Sequence, residues 1–264
     1  MRNLALAAAL LASTAISSAS ARSFVVAMPA NLSPPTQEAA RSFFAGVFDR
    51  LQAGDTLAVV DTSHFTVPVQ VTLPANLGPT PKARARVLGE AEGRINDMID
   101  QPDPKVLPDN LHIPVLLREI GLNVLPNLPD RDPQVVLLGS LIWEDPKEGD
   151  WTFREFVPSD GFLVEPIGSF GVTGQESILA GSLISICYTD KVDGFQWEGF
   201  RQMTINFWGK SIAGRGGKVG SIEPIAEDCV GRLFSRAADK TPYVINRKEK
   251  AFLNTVHWVQ VPVR

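Results

Sequence analysis

Several short runs in the body of this chain carry no polar side chain at all, and this feature constrains the fold most. They are Phe24-Val25-Val26-Ala27-Met28, Leu57-Ala58-Val59-Val60 and Val135-Val136-Leu137-Leu138. Successive side chains of a strand point to opposite faces, so a strand that is apolar throughout has to be covered on both. Residues 183–188 make a similar run interrupted by Ser185. Between these runs the apolar period changes to that of a helix. Ser33 and Pro34 form an N-cap followed by a first-turn proline, then Ala40, Phe43, Phe44, Val47, Phe48 and Leu51 make one stripe that Gly54 stops. Leu88, Ala91, Ile95 and Met98 mark a second helix, and Ile113, Leu116, Leu117 and Ile120 a third. Phe200, Met203, Phe207, Trp208 and Ser211, ended by Gly214, mark a fourth; Ala226, Cys229, Val230, Leu233 and Phe234 line the last. Residues 218–222 read as a further strand, and the alternating residues 65–73 as an antiparallel edge strand. Buried strands that alternate with helices predict an α/β fold, a mostly parallel sheet covered by helices on both faces.

The start of the chain is of a different kind. Arg2 is followed by an uncharged apolar run over residues 4–15, then by the small-x-small triplet Ala19-Ser20-Ala21 ahead of Arg22. This is the pattern of a signal peptide, and the run is shorter than the roughly 20 apolar residues a membrane span needs. The domain organisation read from the sequence is a signal peptide at 1–21, one α/β domain at 22–236 with a loop-rich insertion at 143–175, and a C-terminal extension at 237–264. Trp258-Val259-Gln260-Val261 reads as an added strand in that extension. The expected address is periplasmic or secreted, with no transmembrane segment. A formal charge of −4 argues against nucleic acid or an anionic membrane as partner. The basic groups do not gather into a patch: Lys82, Arg84 and Arg86 are spaced by Ala, and Arg247-Lys248-Glu249-Lys250 contains an acid. Cys187 and Cys229 predict one disulfide if the compartment is oxidising; two buried thiols are the other reading.

The order of elements, with Gly54-Asp55-Thr56-Leu57-Ala58-Val59-Val60 entering the second strand and Val135-Val136-Leu137-Leu138 in the place of the fourth, resembles the von Willebrand factor A (vWA) family over residues 23–236. The resemblance implies a metal site with a D-x-S-x-S motif after the first strand and an Asp at the end of the fourth. This chain has Pro29-Ala30-Asn31-Leu32-Ser33 and Gly139-Ser140 at those places. Hydroxyls without carboxylates do not offset the loss of a divalent cation's hydration shell, so a degenerate domain with no metal and no cofactor is expected.

The candidate site residues lie at the carboxyl ends of the strands, where open α/β sheets bind ligands. Asp61 and Ser63 follow the second strand, and Glu144 and Asp145 follow the fourth. They have the types for an oxygen-rich site, or else satisfy turn amides and face solvent. Trp143, Trp151, Phe153, Phe156 and Phe162 crowd into the insertion, either covering the sheet edge or forming a recognition patch with Trp151 as an anchor. No catalytic residue is assigned. There is no G-x-S-x-G elbow, His64, His112 and His257 lie in unrelated contexts, and the glycine-rich residues 214–220 follow a helix rather than open one. The expected function is an exported protein-binding or scaffolding module in an envelope-associated assembly, its protein partner unidentified. The alternative is an exported hydrolase using Glu144, Asp145, Asp150 and Asp160.

Overall fold

A computed structural model describes residues 21–77, 80–143, 156–165, 169–190, 198–225 and 228–255. The chain runs β1 (Ser23–Met28), α1 (Pro34–Arg50), β2 (Thr56–Asp61), β3 (Thr66–Thr72), α2 (Pro81–Asp100), α3 (Ile113–Glu119), β4 (Gln134–Gly139), β5 (Phe156–Pro158), α4 (Gly161–Val164), β6 (Leu183–Tyr188), α5 (Glu198–Gly214), β7 (Lys218–Pro224), α6 (Asp228–Phe234) and β8 (Leu253–Thr255). The main sheet has the order β3-β2-β1-β4-β6-β7, and all its pairings are parallel except that of β3 with β2. The α/β sheet expected from the apolar runs is therefore present, with residues 65–73 supplying the antiparallel edge.

Each apolar run is divided between two cores. Phe24, Val26 and Met28 of β1 and Val136 and Leu138 of β4 face α1, α2 and α6, among Phe43, Phe44, Val47, Ile95 and Leu233. Val25 and Ala27, with Val135 and Leu137, face α3 and α5 among Leu116, Leu117, Phe207 and Trp208. Burying each such side chain contributes roughly 1.5–3 kcal/mol, and the period of two is what splits the gain evenly over both faces. On the first face Cys187 of β6 and Cys229 of α6 stand at disulfide distance, their Cα atoms 6.1 Å apart, and no free cysteine is present among the described residues. The pairing expected from the sequence is present. Closing a loop over a separation of 42 residues contributes about 4 kcal/mol in the chain-entropy account.

Trp143, Phe162 and Phe170 of the insertion lie inside. Trp143 and Phe162 are buried in the second core, where Trp143 packs edge-on to Phe170 at 4.9 Å between ring centres. Residues 237–252 also return to the domain instead of trailing from it. Ser159 Oγ donates to Lys250 O at 2.9 Å and accepts from Phe252 N at 3.0 Å, Asn246 N donates to Asp160 Oδ2 at 2.7 Å, and β8 pairs antiparallel with β5. Gly209 makes room for this return, since a Cβ there would sit 2.1 Å from the Tyr243 ring. The strand expected at 258–261 lies outside the described residues. Among the described residues no helix is long and apolar enough to cross a membrane.

Candidate functional site

The sheet order reverses direction between β1 and β4: the chain winds outward from β1 through β2 to β3, and from β4 through β6 to β7. Connections at such a switch point leave in opposite directions and open a crevice at the carboxyl ends of the strands. Here the crevice is a cavity of about 460 Å³ lined by Ser33, Thr36, Asp109, Asn110, Ser140 and Asp190, with Leu107 and Ile142 on its rim.

Each wall of the cavity follows from a local feature of the chain. Ser33 ends the β1 loop as the N-cap of α1, with Pro34 and Pro35 in the first turn; its hydroxyl is 2.9 Å from Thr36 Oγ1, and its amide donates to Asp109 Oδ1 at 3.0 Å. The 107–110 loop is drawn onto the end of β4, where Ser140 N donates to Asp109 O at 2.7 Å and Asn110 bridges Ser140. Gly139 permits that approach, because a Cβ would meet Leu111 Cγ at 2.7 Å and Asp109 O at 2.8 Å. Asp109 itself has φ +60, in the left-handed region that an aspartate enters more readily than most residues.

At the back of the cavity Ser140 and Asp190 meet across the pairing of β4 with β6. Ser140 Oγ donates to Asp190 Oδ1, Leu141 N donates to Asp190 Oδ2 at 2.7 Å, and Ile142 N donates to Ser140 Oγ at 2.9 Å. Burial pushes the Asp190 carboxyl above the usual carboxylate range, and the Asp109 charge adds to this; the Ser140 hydroxyl and Leu141 amide pull the other way without cancelling it. Among the described residues no Lys or Arg forms an ion pair with it. The site can thus offer hydroxyls and two carboxyl groups, that of Asp109 held by the Ser33 amide, to an incoming partner.

Of the residues singled out from the sequence, the described ones fall elsewhere. Asp61 and Ser63 lie at the carboxyl end of β2, on the far side of β1 from Asp190. Asp61 Oδ1 accepts from Ser63 N at 2.8 Å, its Oδ2 is 2.7 Å from His64 Nδ1, and Ser63 Oγ accepts from Ala30 N at 3.0 Å. These are turn-closing contacts that brace the β1 loop. Glu144, Asp145, Asp150 and Trp151 lie outside the described residues. Asp160, the described member of the hydrolase set, is buried under residues 246–250 and held by Lys210 Nζ at 2.8 and 2.7 Å, a structural ion pair. Among the described residues no group of three or more His, Cys, Asp or Glu could hold a metal. Asp109 and Asp190 escaped the sequence reading. Asp190 carried one usable signal, as the first carboxylate after the apolar run of β6, at the edge where Ser140 was already noticed.

No family model, curated protein or solved structure matches this chain.

Proposed function

We propose that the protein is an exported binding module, a degenerate vWA-like domain that holds a protein partner of the cell envelope at the carboxyl edge of its sheet. The switch-point cleft is the observation that carries this reading. Its polar groups are preorganised by backbone amides and open onto a cavity whose rim is apolar, with Leu107 38% exposed and Phe65, on the neighbouring turn, 37% exposed. Fixed hydrogen-bonding groups beside exposed apolar side chains are the usual anatomy of a protein-binding surface. The strand order supports the vWA-like description, the antiparallel β3 included. A cysteine pair at bonding distance fits an oxidising compartment outside the cytoplasm.

The test is capture of envelope proteins by the immobilised full-length chain, compared with Leu107→Asp and Thr36→Arg variants whose circular dichroism matches the parent. Both changes should reduce capture at least tenfold, since they place a charge or a bulky side chain in the mouth of the cleft. Trp151→Ala in the insertion should reduce it further if the surface extends there. Equal capture by the parent and both cleft variants would rule out this edge as the surface.

A further inference from the structure

At the opposite edge of the sheet Arg22 is held through its backbone nitrogen, its carbonyl and one guanidinium nitrogen. Its backbone nitrogen donates to Asp55 Oδ1 at 3.1 Å, its guanidinium lies 3.2 Å from Asp55 Oδ2, and its carbonyl accepts from Thr56 N at 2.8 Å. The guanidinium also covers the rings of Phe24 at 4.9 Å and Phe234 at 5.4 Å. Asp55 is 2% exposed at its side chain and has a further donor in Gln52 N at 2.8 Å. Ala21, one residue earlier, is exposed. The peptide bond between exposed Ala21 and anchored Arg22 is the one that follows the small-x-small triplet.

We infer that Ala21–Arg22 is a processing site and that Asp55 is the receptor for the α-ammonium group its hydrolysis creates. This rests on the export reading above. A signal peptidase adds one water across the amide: the hydroxyl goes to the Ala21 carbonyl, which leaves with the leader as a carboxylate, and the nitrogen of Arg22 takes the hydrogen and, at neutral pH, a second proton from solvent. The nitrogen that donates to Asp55 as a neutral amide then donates as a cation. A charge-assisted bond to a buried carboxylate is roughly twice as strong as a neutral one. Processing occurs on the unfolded, translocating chain, so folding follows it and the processed chain alone gains this charge. Processing therefore adds stability to a contact that is already made.

The groups around the new terminus are Asp55, the Arg22 guanidinium and Asp130, which accepts from Ser23 N at 3.2 Å. An α-ammonium titrates ordinarily near pH 7.7–8.0, about the value for a free terminus. Contact with the Asp55 carboxylate raises this in the folded state. The contribution is then fully present below the ordinary range and is lost as pH rises through the raised value.

The experiment begins with intact mass and N-terminal sequencing of the exported protein, which should start at Arg22. Thermal melting is then compared, from about pH 6 to pH 10, for that protein, for the same protein acetylated at its α-amine, and for a chain retaining Ala21. The free-amine form should melt about 2–4 °C higher at pH 7, a shift typical of one added interaction in a domain of this size. The gap should close toward pH 10. In an Asp55→Asn background it should be absent; if that variant fails to fold, the acetylation comparison decides alone. A start other than Arg22 overturns the inference and the export reading together. A start at Arg22 with equal melting of free and acetylated forms at pH 7 overturns the Asp55 receptor alone and leaves the export reading standing.

Discussion

The two edges of the sheet each bury an ionisable group and treat it in opposite ways. At the amino edge Arg215, fully buried, follows α5 and lies beside the entry to β6. Its guanidinium donates to Gln175 Oε1 at 3.0 Å, to Ser211 Oγ at 2.6 Å and to the carbonyls of Ser211, Ser169, Phe170 and Gly171 at 3.2–3.4 Å. Every nitrogen of the fork is occupied by an oxygen. Burial brings its pKa down to about 10, which still leaves it charged at neutral pH. At the carboxyl edge Asp190 accepts from Ser140 Oγ and Leu141 N and lines a cavity. A saturated buried charge pins a loop, here residues 169–175, and has nothing left for a ligand. The Asp190 carboxyl at the cleft is the group that the proposed binding role would use.

Breaking the amino-edge half of this contrast should give the largest effect. Arg215→Ala removes the fork and orphans several buried carbonyls, and removing one member of such a buried network costs about 3–5 kcal/mol. Urea unfolding should show that loss, and Arg215→Lys should recover only part of it, because an ammonium cannot span the same oxygens. Partner capture by the folded fraction should be unchanged. A loss below about 1 kcal/mol would remove the structural assignment of Arg215.

The carboxyl-edge half should respond the other way, with function lost and stability nearly kept. Asp190→Asn preserves the shape and one acceptor, so its effect on unfolding at pH 7 should stay within about 1 kcal/mol, while capture through the cleft should fall at least tenfold. The sign of the pH dependence follows from the raised pKa. A carboxyl that holds its proton more tightly when folded adds stability below its ordinary range, and that contribution is lost as pH rises through the folded value. The parent should therefore gain on Asp190→Asn as pH is lowered from 7 toward 4. The opposite trend, or intact capture, would make Asp190 another structural charge like Arg215.

The same two residues show what could and could not be read from the sequence. Phe24 to Met28 announced a strand covered on both faces without reference to anything else, because local pattern and burial coincide there. The stripe from Ala40 to Leu51 did the same for α1, and Cys187 with Cys229 needed only strand-to-helix adjacency. Asp190 could not be assigned a role locally: its environment depends on Ser140, 50 residues earlier, and on Asp109 from a third loop. Arg215 sits in a glycine-rich stretch whose pattern is that of the turn ending α5, yet its partners on 169–175 are long-range. Asp160 looked like an available acid until Lys210 and the returning residues 246–250 closed over it. Trp143 and Phe162 fit either sheet cover or a recognition patch from the sequence alone, and the choice depends on Phe170, which meets both rings and rests on Phe207 and Trp208 of α5. Main-chain architecture was legible wherever one element determines its own burial, and side-chain roles were hidden wherever two or three distant loops meet.

The smallest effect tests whether the outer part of the carboxyl edge, at β2, belongs to the cleft or merely braces it. His64 is about half exposed, with Asp61 Oδ2 at 2.7 Å from Nδ1 and Asp103 Oδ2 at 3.6 Å from Nε2. Its pKa is raised, first by the hydrogen bond to Asp61 and then by the charge of Asp61, with Asp103 adding less and slight burial opposing. An imidazole whose folded pKa is raised contributes stability below its ordinary value of about 6.5 and loses it as pH climbs through the folded value. Solvent screening at this exposure limits the contribution to a few tenths of a kcal/mol, about that of a surface ion pair. NMR titration of the His64 ring should therefore move clearly down in Asp61→Asn and less in Asp103→Asn, with unfolding free energies almost unchanged. Capture should be unaffected by Asp103→Asn, which touches neither Ser140 nor Asp190. If Asp103→Asn moves the titration more than Asp61→Asn, or abolishes capture, the turn after β2 is part of the recognition surface and the boundary between brace and cleft has to be redrawn beyond β1.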